Sequence, residues 1–198
     1  MHDPLPASRV IPANEYRRER WSNGLGWTRE IARSPGDGDW TWRLSIAEIE
    51  QDAAFSWFPG AERMLVLLEG NGLRLRFSRS EVKLLEPPHG SLRFDGARAV
   101  AGEPVDGRAV VFNLIWRRDR IGADLWHRPL VGAMVIFAET GETWALHLVA
   151  GEARFDDGSG LPALAAGDTA LLVARDGGRV RHVVDGSGEA LLVRLRRA

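Results

Sequence analysis

The 198-residue chain contains no cysteine. That excludes disulfides, thiolate metal sites and a cysteine nucleophile, and it fits a reducing compartment. Lysine is almost missing as well: Lys83 is the only one, and arginine carries the rest of the cationic side. Charge of either sign is not in excess, since the formal net charge is −1. Nothing therefore favours a polyanionic partner, and no nucleic acid is expected. No apolar run approaches the roughly 18 residues that span a bilayer. The opening Met1-His2-Asp3-Pro4-Leu5-Pro6 lacks the apolar core of a signal peptide. No membrane partner is expected, and the expected location is cytoplasmic. Helix signals are also scarce, because 22 glycines and 10 prolines punctuate the chain at short intervals.

What is present is alternation. Hydrophobic residues make up 44% of the chain and charged residues 27%, the balance of an ordinary globular protein. Residues 7–13 read as a first strand with Val10 and Ile11 buried. Trp27–Ala32 reads as a strand with Thr28 and Glu30 on one face and Trp27, Arg29 and Ile31 on the other. After the turn Ser34-Pro35-Gly36-Asp37-Gly38-Asp39, Trp40, Trp42, Leu44 and Ile46 alternate with Thr41, Arg43, Ser45 and Ala47. Met64–Leu68 leads to Glu69-Gly70-Asn71-Gly72, a hairpin signal with Leu73–Phe77 as the return strand. Pro87–Gly90 marks a loop, and strands follow at Leu92–Phe94 and Ala109–Trp116. Residues 119–130 read as a polar crossover. Strands are then expected at Val131–Ala138, Trp144–Ala150, Ala170–Ala174, Val180–Val184 and Leu191–Leu195. The turns between them fall at Thr140-Gly141-Glu142, Gly151-Glu152, Asp176-Gly177-Gly178 and Asp185-Gly186. Val66-Leu67-Leu68-Glu69-Gly70 and His147-Leu148-Val149-Ala150-Gly151 form a weak internal repeat. Short strands at this spacing predict an all-β barrel or sandwich, as two units spanning 8–118 and 119–198.

One stretch combines features that a plain core strand does not need: Trp21-Ser22-Asn23-Gly24-Leu25-Gly26-Trp27-Thr28-Arg29-Glu30-Ile31. Glycines allow close approach, Asn23 and Thr28 offer neutral hydrogen-bonding groups, and Glu30 offers a charged acceptor. It reads as a binding wall.

The apolar strand–Gly–Glu run, then Leu161…Gly167-Asp168, then His182 and a closing apolar strand resemble the end of a cupin barrel. Four segments together resemble the HutD/Ves family: Trp21–Ile31, Trp40–Ala47, Phe55-Ser56-x-Phe58-Pro59-Gly60-x-x-Arg63, and Asn113-Leu114-Ile115-Trp116-Arg117-Arg118. The family's Asn-Gly-Gly-Gly is Asn23-Gly24-Leu25-Gly26 here. The resemblance implies a fused double cupin, often a homodimer, associated with histidine utilisation or, in the Ves branch, with stress response. It further implies a small-molecule binder of formate, urocanate or a formylated intermediate, with no firmly attached catalytic activity.

A metal-dependent cupin needs His-x-His, a glutamate and a later histidine, because a divalent metal needs three or four converging donors. Phe55-Ser56-Trp57-Phe58 occupies the place of that motif, and His2, His89, His127, His147 and His182 are scattered. No metal or other cofactor is expected, and His147 reads as a core or groove histidine. No Gly-x-Ser-x-Gly occurs, and Gly24-x-Gly26 opens no βαβ helix, so neither a serine hydrolase nor a nucleotide site is expected. What remains is an anion or amide pocket, for which bidentate arginine is the strongest single device. The candidate ligand-binding residues are Asn23, Gly24, Gly26, Thr28, Glu30, Arg43, Ser45 and Arg63. Glu30 has three readings: a structural ion pair with Arg43, a ligand contact, or the general base of a metal-free isomerase or hydrolase. Trp21, Trp27, Trp40, Trp42, Trp57 and Phe58 are expected mostly in the core, with one or two walling the pocket. An interaction module with an empty barrel is the remaining alternative.

Overall fold

A computed structural model describes residues 7–21, 23–36, 38–174 and 178–198. Ser22 of the candidate wall, Asp37 in the turn before Trp40, residues 1–6, and Asp176 and Gly177 of an expected turn lie outside the described residues. The strands, in chain order, are β1 (Arg9–Ile11), β2 (Arg17–Arg20), β3 (Gly26–Ser34), β4 (Trp42–Ile49), β5 (Ala53–Ala54) and β6 (Ala61–Glu69). They continue as β7 (Leu73–Arg76), β8 (Val82–Leu85), β9 (Ser91–Asp95), β10 (Ala101–Pro104) and β11 (Ala109–Arg117). The last are β12 (Ile121–Ala138), β13 (Glu142–Phe155), β14 (Leu164–Ala165), β15 (Thr169–Val173) and β16 (Val180–Arg197). Only two 3-10 turns interrupt them among the described residues. The all-β expectation is met. No helix among the described residues is long and apolar enough to cross a membrane.

Backbone contacts divide the chain into Tyr16–Ile121 and a second unit of the described part of Met1–Glu15 with Gly122–Ala198. Two all-β units in one chain is the organisation that a fused double cupin requires. The expected halves, 8–118 and 119–198, differ from this division at the start of the chain. Strand β1 pairs antiparallel with β15, Val10 opposite Ala170, so the first strand serves the C-terminal unit. Val10 and Ile11 are half-buried there rather than buried.

In Tyr16–Ile121, a six-stranded sheet (β2-β3-β4-β11-β6-β9) and a four-stranded sheet (β5-β10-β7-β8) share one core. Ile49, Leu65, Leu67, Phe94 and Val111 come from the first sheet and Leu73, Leu75 and Leu85 from the second, joined by Phe55 and Val100 from the connections. Alternation explains this, because every second residue of a strand faces the same side. The expected hairpin at Glu69–Gly72 is corrected here. β6 pairs with β11 and β9, whereas β7 pairs with β10 and β8. Gly70 and Gly72, both at positive φ, carry the chain from one sheet to the other.

In the unit containing Gly122–Ala198, the sheet order is β1-β15-β13-β16-β12, with β14 on β13. Leu146, Leu148, Ala170, Leu172, Ala190 and Leu192 form its core with Leu130 and Ile136. Three expectations are overturned in this unit. The polar stretch 119–130 is mostly strand, as the first part of β12. Gly151-Glu152 and Asp185-Gly186 are not turns; they lie inside β13 and β16, which pair with Gly151 opposite Gly188 and Ala153 opposite Gly186. The glycines permit close approach instead: a Cβ on Gly186 would fall 2.2 Å from the Glu152 carbonyl oxygen. Of the tryptophans expected in the core, Trp42 is buried, Trp21, Trp27 and Trp40 are half-buried, and Trp57 is 64% exposed.

Candidate functional site

The register of the six-stranded sheet assembles the site. One row runs Glu30 (β3), Ser45 (β4), Asn113 (β11) and Leu65 (β6). The next runs Arg33, Arg43, Ile115, Arg63 and, on β9, Phe94. Residues opposite one another across antiparallel strands share a face, so these side chains project to one side. A bulge between Glu30 and Ala32 makes Ile31 the extra residue. It reverses the alternation of β3 and returns Arg33 to the face of Glu30.

Arg63 is the centre of the arrangement. It is 6% exposed. Its Nε donates to Asn113 Oδ1 at 2.9 Å and its Nη1 to the Ser56 carbonyl at 3.5 Å. The guanidinium stands 4.8 Å from the Phe55 ring centre and 5.7 Å from that of Phe94. Asn113 Nδ2 in turn donates to Ser45 Oγ at 3.3 Å. No carboxylate forms an ion pair with Arg63 among the described residues. Burial, and secondarily the neighbouring Arg43 cation, lowers its pKa to about 9, so the side chain remains a cation at neutral pH.

Arg43 is treated differently. Its Nε lies 2.6 Å from Glu30 Oε2, and Arg33 Nε lies 3.6 Å from Glu30 Oε1. The Arg43 Nε–H nonetheless has no aligned acceptor, so the contact is a close ion pair without good hydrogen-bond geometry. Coulomb attraction depends on separation and hardly on this angle, so the pairing stands.

These groups open onto a cavity of about 400 Å³. Arg43, Ser45, Arg63 and Asn113 supply its polar end, Trp21, Phe55, Phe58 and Ile115 its walls, and the exposed Glu19, Arg20 and Asn23 its rim. Trp21 is held by a hydrogen bond from its Nε1 to Thr28 Oγ1 at 2.9 Å. Of the residues expected from the sequence, Asn23, Thr28, Arg43, Ser45 and Arg63 line the cavity, whereas Gly24, Gly26 and Glu30 do not. The Gly24 amide donates to the Trp21 carbonyl at 2.9 Å, and the Leu25 amide to Asn23 Oδ1 at 3.0 Å. Those backbone donors are thus used within the turn. Gly26 makes room for the wall, since a Cβ there would fall 2.5 Å from the Glu48 carbonyl oxygen and 3.1 Å from the Trp21 ring. Asn113, Phe55 and Ser56 are cavity residues that the sequence reading did not single out. Asn113 had a signal: a lone amide in the otherwise apolar Ala109–Trp116 run needs a buried partner.

The second unit has a larger concavity, about 820 Å³, beside Gly151, Arg154, Asp168 and Asp185. Its chemistry is weaker. Asp168 accepts the amides of Ala13 and Ala165, and Arg154 is bonded to Asp185 at the surface. No polar side chain lining it is buried. His147, elsewhere in that unit, is 2% exposed and hydrogen-bonded through Nδ1 to Thr169 Oγ1 at 2.9 Å.

A family model described as HutD matches residues 13–192. A 21.2 kDa protein in the hutC 3′ region of Pseudomonas putida is 37% identical over 118 residues, 59% of this chain and 62% of that protein. Protein Ves of Cronobacter sakazakii is 37% identical over 106 residues, 53% of this chain and 58% of that one. The alignments thus span less than two thirds of these relatives' lengths. In three dimensions, HutD from Pseudomonas fluorescens SBW25, solved in a formate condition, superposes with a TM-score of 0.83 at 29% identity. That match covers 97% of this chain and 100% of the other.

Proposed function

The chain belongs to the HutD family, and from that premise we propose that it binds a small carboxylate or formyl metabolite without transforming it, and so modulates histidine utilisation. The observation that carries the proposal is Arg63: a buried guanidinium, held by Asn113 and facing a cavity, with no carboxylate of its own among the described residues. A buried cation is costly unless it is paired, and an entering carboxylate would supply the missing charge and accept its free N–H groups. The formate condition of the related HutD structure and the hutC neighbourhood of the Pseudomonas putida relative support this choice of ligand and pathway. Glu30 does not line the cavity and is held by two arginines, so the reading of Glu30 as a general base is not carried forward.

Calorimetric titration with formate, urocanate, formylglutamate and formiminoglutamate tests the proposal. At least one should bind below millimolar concentration; failure of all four removes the ligand assignment. The affinity should also depend on pH in a specific way. Because Arg63 is protonated below about pH 9, binding should be flat from pH 7 to 8 and weaken as pH rises through about 9. An affinity that stays constant to pH 10 would mean that the Arg63 charge does not hold the ligand.

A further inference from the structure

We propose that Glu30 sets the charge class of the ligand: by pairing with Arg43 it leaves the cavity one net positive charge, matched to a monoanionic head group. The inference rests on the anion-binding reading above and specifies it. Four charged groups project to the same face: Glu30 and Arg33 on β3, Arg43 on the neighbouring β4, and Arg63 on β6, across the intervening β11. Glu30 lies against Arg43 at 2.6 Å and is excluded from the cavity wall, whereas both arginines are in that wall. Ser45 and Asn113, between them, are neutral and buried. The other partner of Glu30, Arg33, stands opposite Arg43 in the register, is more exposed than Arg43, and does not line the cavity. Solvent therefore screens Arg33 more than it screens the inner three.

Charges held in a buried site are penalised when their sum is not zero. A monoanion brings Arg43, Arg63 and Glu30 to neutrality. A compact dianion leaves an uncompensated negative charge. Neutralising Glu30 reverses this order, because two cations then face the ligand. Glu30 is thus a specificity-determining residue that acts through Arg43 and need not touch the ligand.

Affinities for formate, a monoanion, and sulfate, a compact though larger dianion, should be measured at pH 7.5 and constant ionic strength, and the change in their ratio between variants is what is read. The wild type should prefer formate. Glu30→Gln should shift the formate-to-sulfate ratio toward sulfate by about tenfold or more, given the strength of unscreened charge interactions in buried sites. Glu30→Asp, which keeps the charge, should hold the wild-type preference. Arg43→Gln, which removes a cation, should move the ratio the opposite way and serves if Glu30→Gln fails to fold. Binding with an unmoved ratio in these variants overturns the charge-selection proposal alone. Failure of the wild type to bind either anion overturns the binding reading with it.

Discussion

Arg63→Met lowers affinity for the carboxylate ligand by about 100-fold, and the ligand-free protein keeps nearly its original stability. The two halves of this expected result have separate causes. Charge-assisted hydrogen bonds to a buried carboxylate contribute about 1.5–3 kcal/mol each, and no other guanidinium lining the cavity is free of a carboxylate, since Arg43 is held by Glu30 and Arg20, at the rim, by Glu50. Losing one or two such bonds corresponds to about two decades of affinity. The ligand-free protein, by contrast, gives up a buried cation whose desolvation is shown by its lowered pKa. Replacing a buried charge with an apolar side chain of similar length is often neutral or stabilising. The opposing loss is the Arg63 Nε–H donated to Asn113 Oδ1, worth about 1–3 kcal/mol if that oxygen finds no other donor.

The pH dependence of stability separates these contributions. The folded-state pKa of Arg63 is lowered, so between about 9 and its ordinary value the unfolded chain binds the extra proton. Stability then rises with pH in that window, and the penalty is present in full below about pH 9. Arg63→Met should lack this rise. Calorimetry and thermal melts with and without ligand check both halves. A variant that binds within about threefold of wild type would remove Arg63 from the site.

Gly151→Ala unfolds the protein at a much lower temperature, for a reason that lies in the backbone. Gly151 has φ +89°, a region open to glycine and strained for alanine. A Cβ there would fall 1.8 Å from the Ser187 carbonyl oxygen and 2.8 Å from the Gly188 Cα. Both obstacles are backbone of the paired strand β16, so no side-chain rotation relieves them. Separating β13 from β16 would disturb an extended pairing, which runs from Glu142 opposite Arg196 to Phe155 opposite Val184. A cost of about 3 kcal/mol or more is expected, from strain and broken pairing together, which is a drop of roughly 6–12 °C for a chain of this length. Chemical denaturation monitored by tryptophan fluorescence would measure it. A variant within about 0.5 kcal/mol of wild type would show that the close approach at Gly151 does not support the fold.

Legibility varied with how local each feature is. Alternation in Trp40–Ala47 and the apolar run Ala109–Trp116 pointed to real strands, β4 and β11, because both signals are written in consecutive positions. Glycine was ambiguous. Asn71-Gly72 and Asp185-Gly186 carry the same turn signal, yet one crosses between sheets and the other sits inside a strand. Glycine permits both a turn and the close approach of another chain segment, and the local sequence does not say which is needed. The stretch from Trp21 to Ile31 read as a wall, and Trp21, Asn23 and Thr28 do line the cavity. Its glycines, expected among the ligand-binding residues, do not line the cavity; the Gly24 amide closes the turn onto Trp21, and the Leu25 amide bonds Asn23.

The amino-acid sequence by itself determined the all-β class, the HutD membership carried by four ordered motifs, and Arg43 and Arg63 as the arginines worth following. The tertiary structure alone decided that Glu30 pairs with Arg43, that the Ile31 bulge turns Arg33 toward the same carboxylate, and that Asn113 holds Arg63. Composition and periodicity are properties of neighbouring residues, whereas ion pairs and buried amide contacts depend on strand register. A shift of one residue sends a side chain to the opposite face. Register is set by the packing of strands distant in sequence, so the partner of each charged group emerges only when the sheet is assembled.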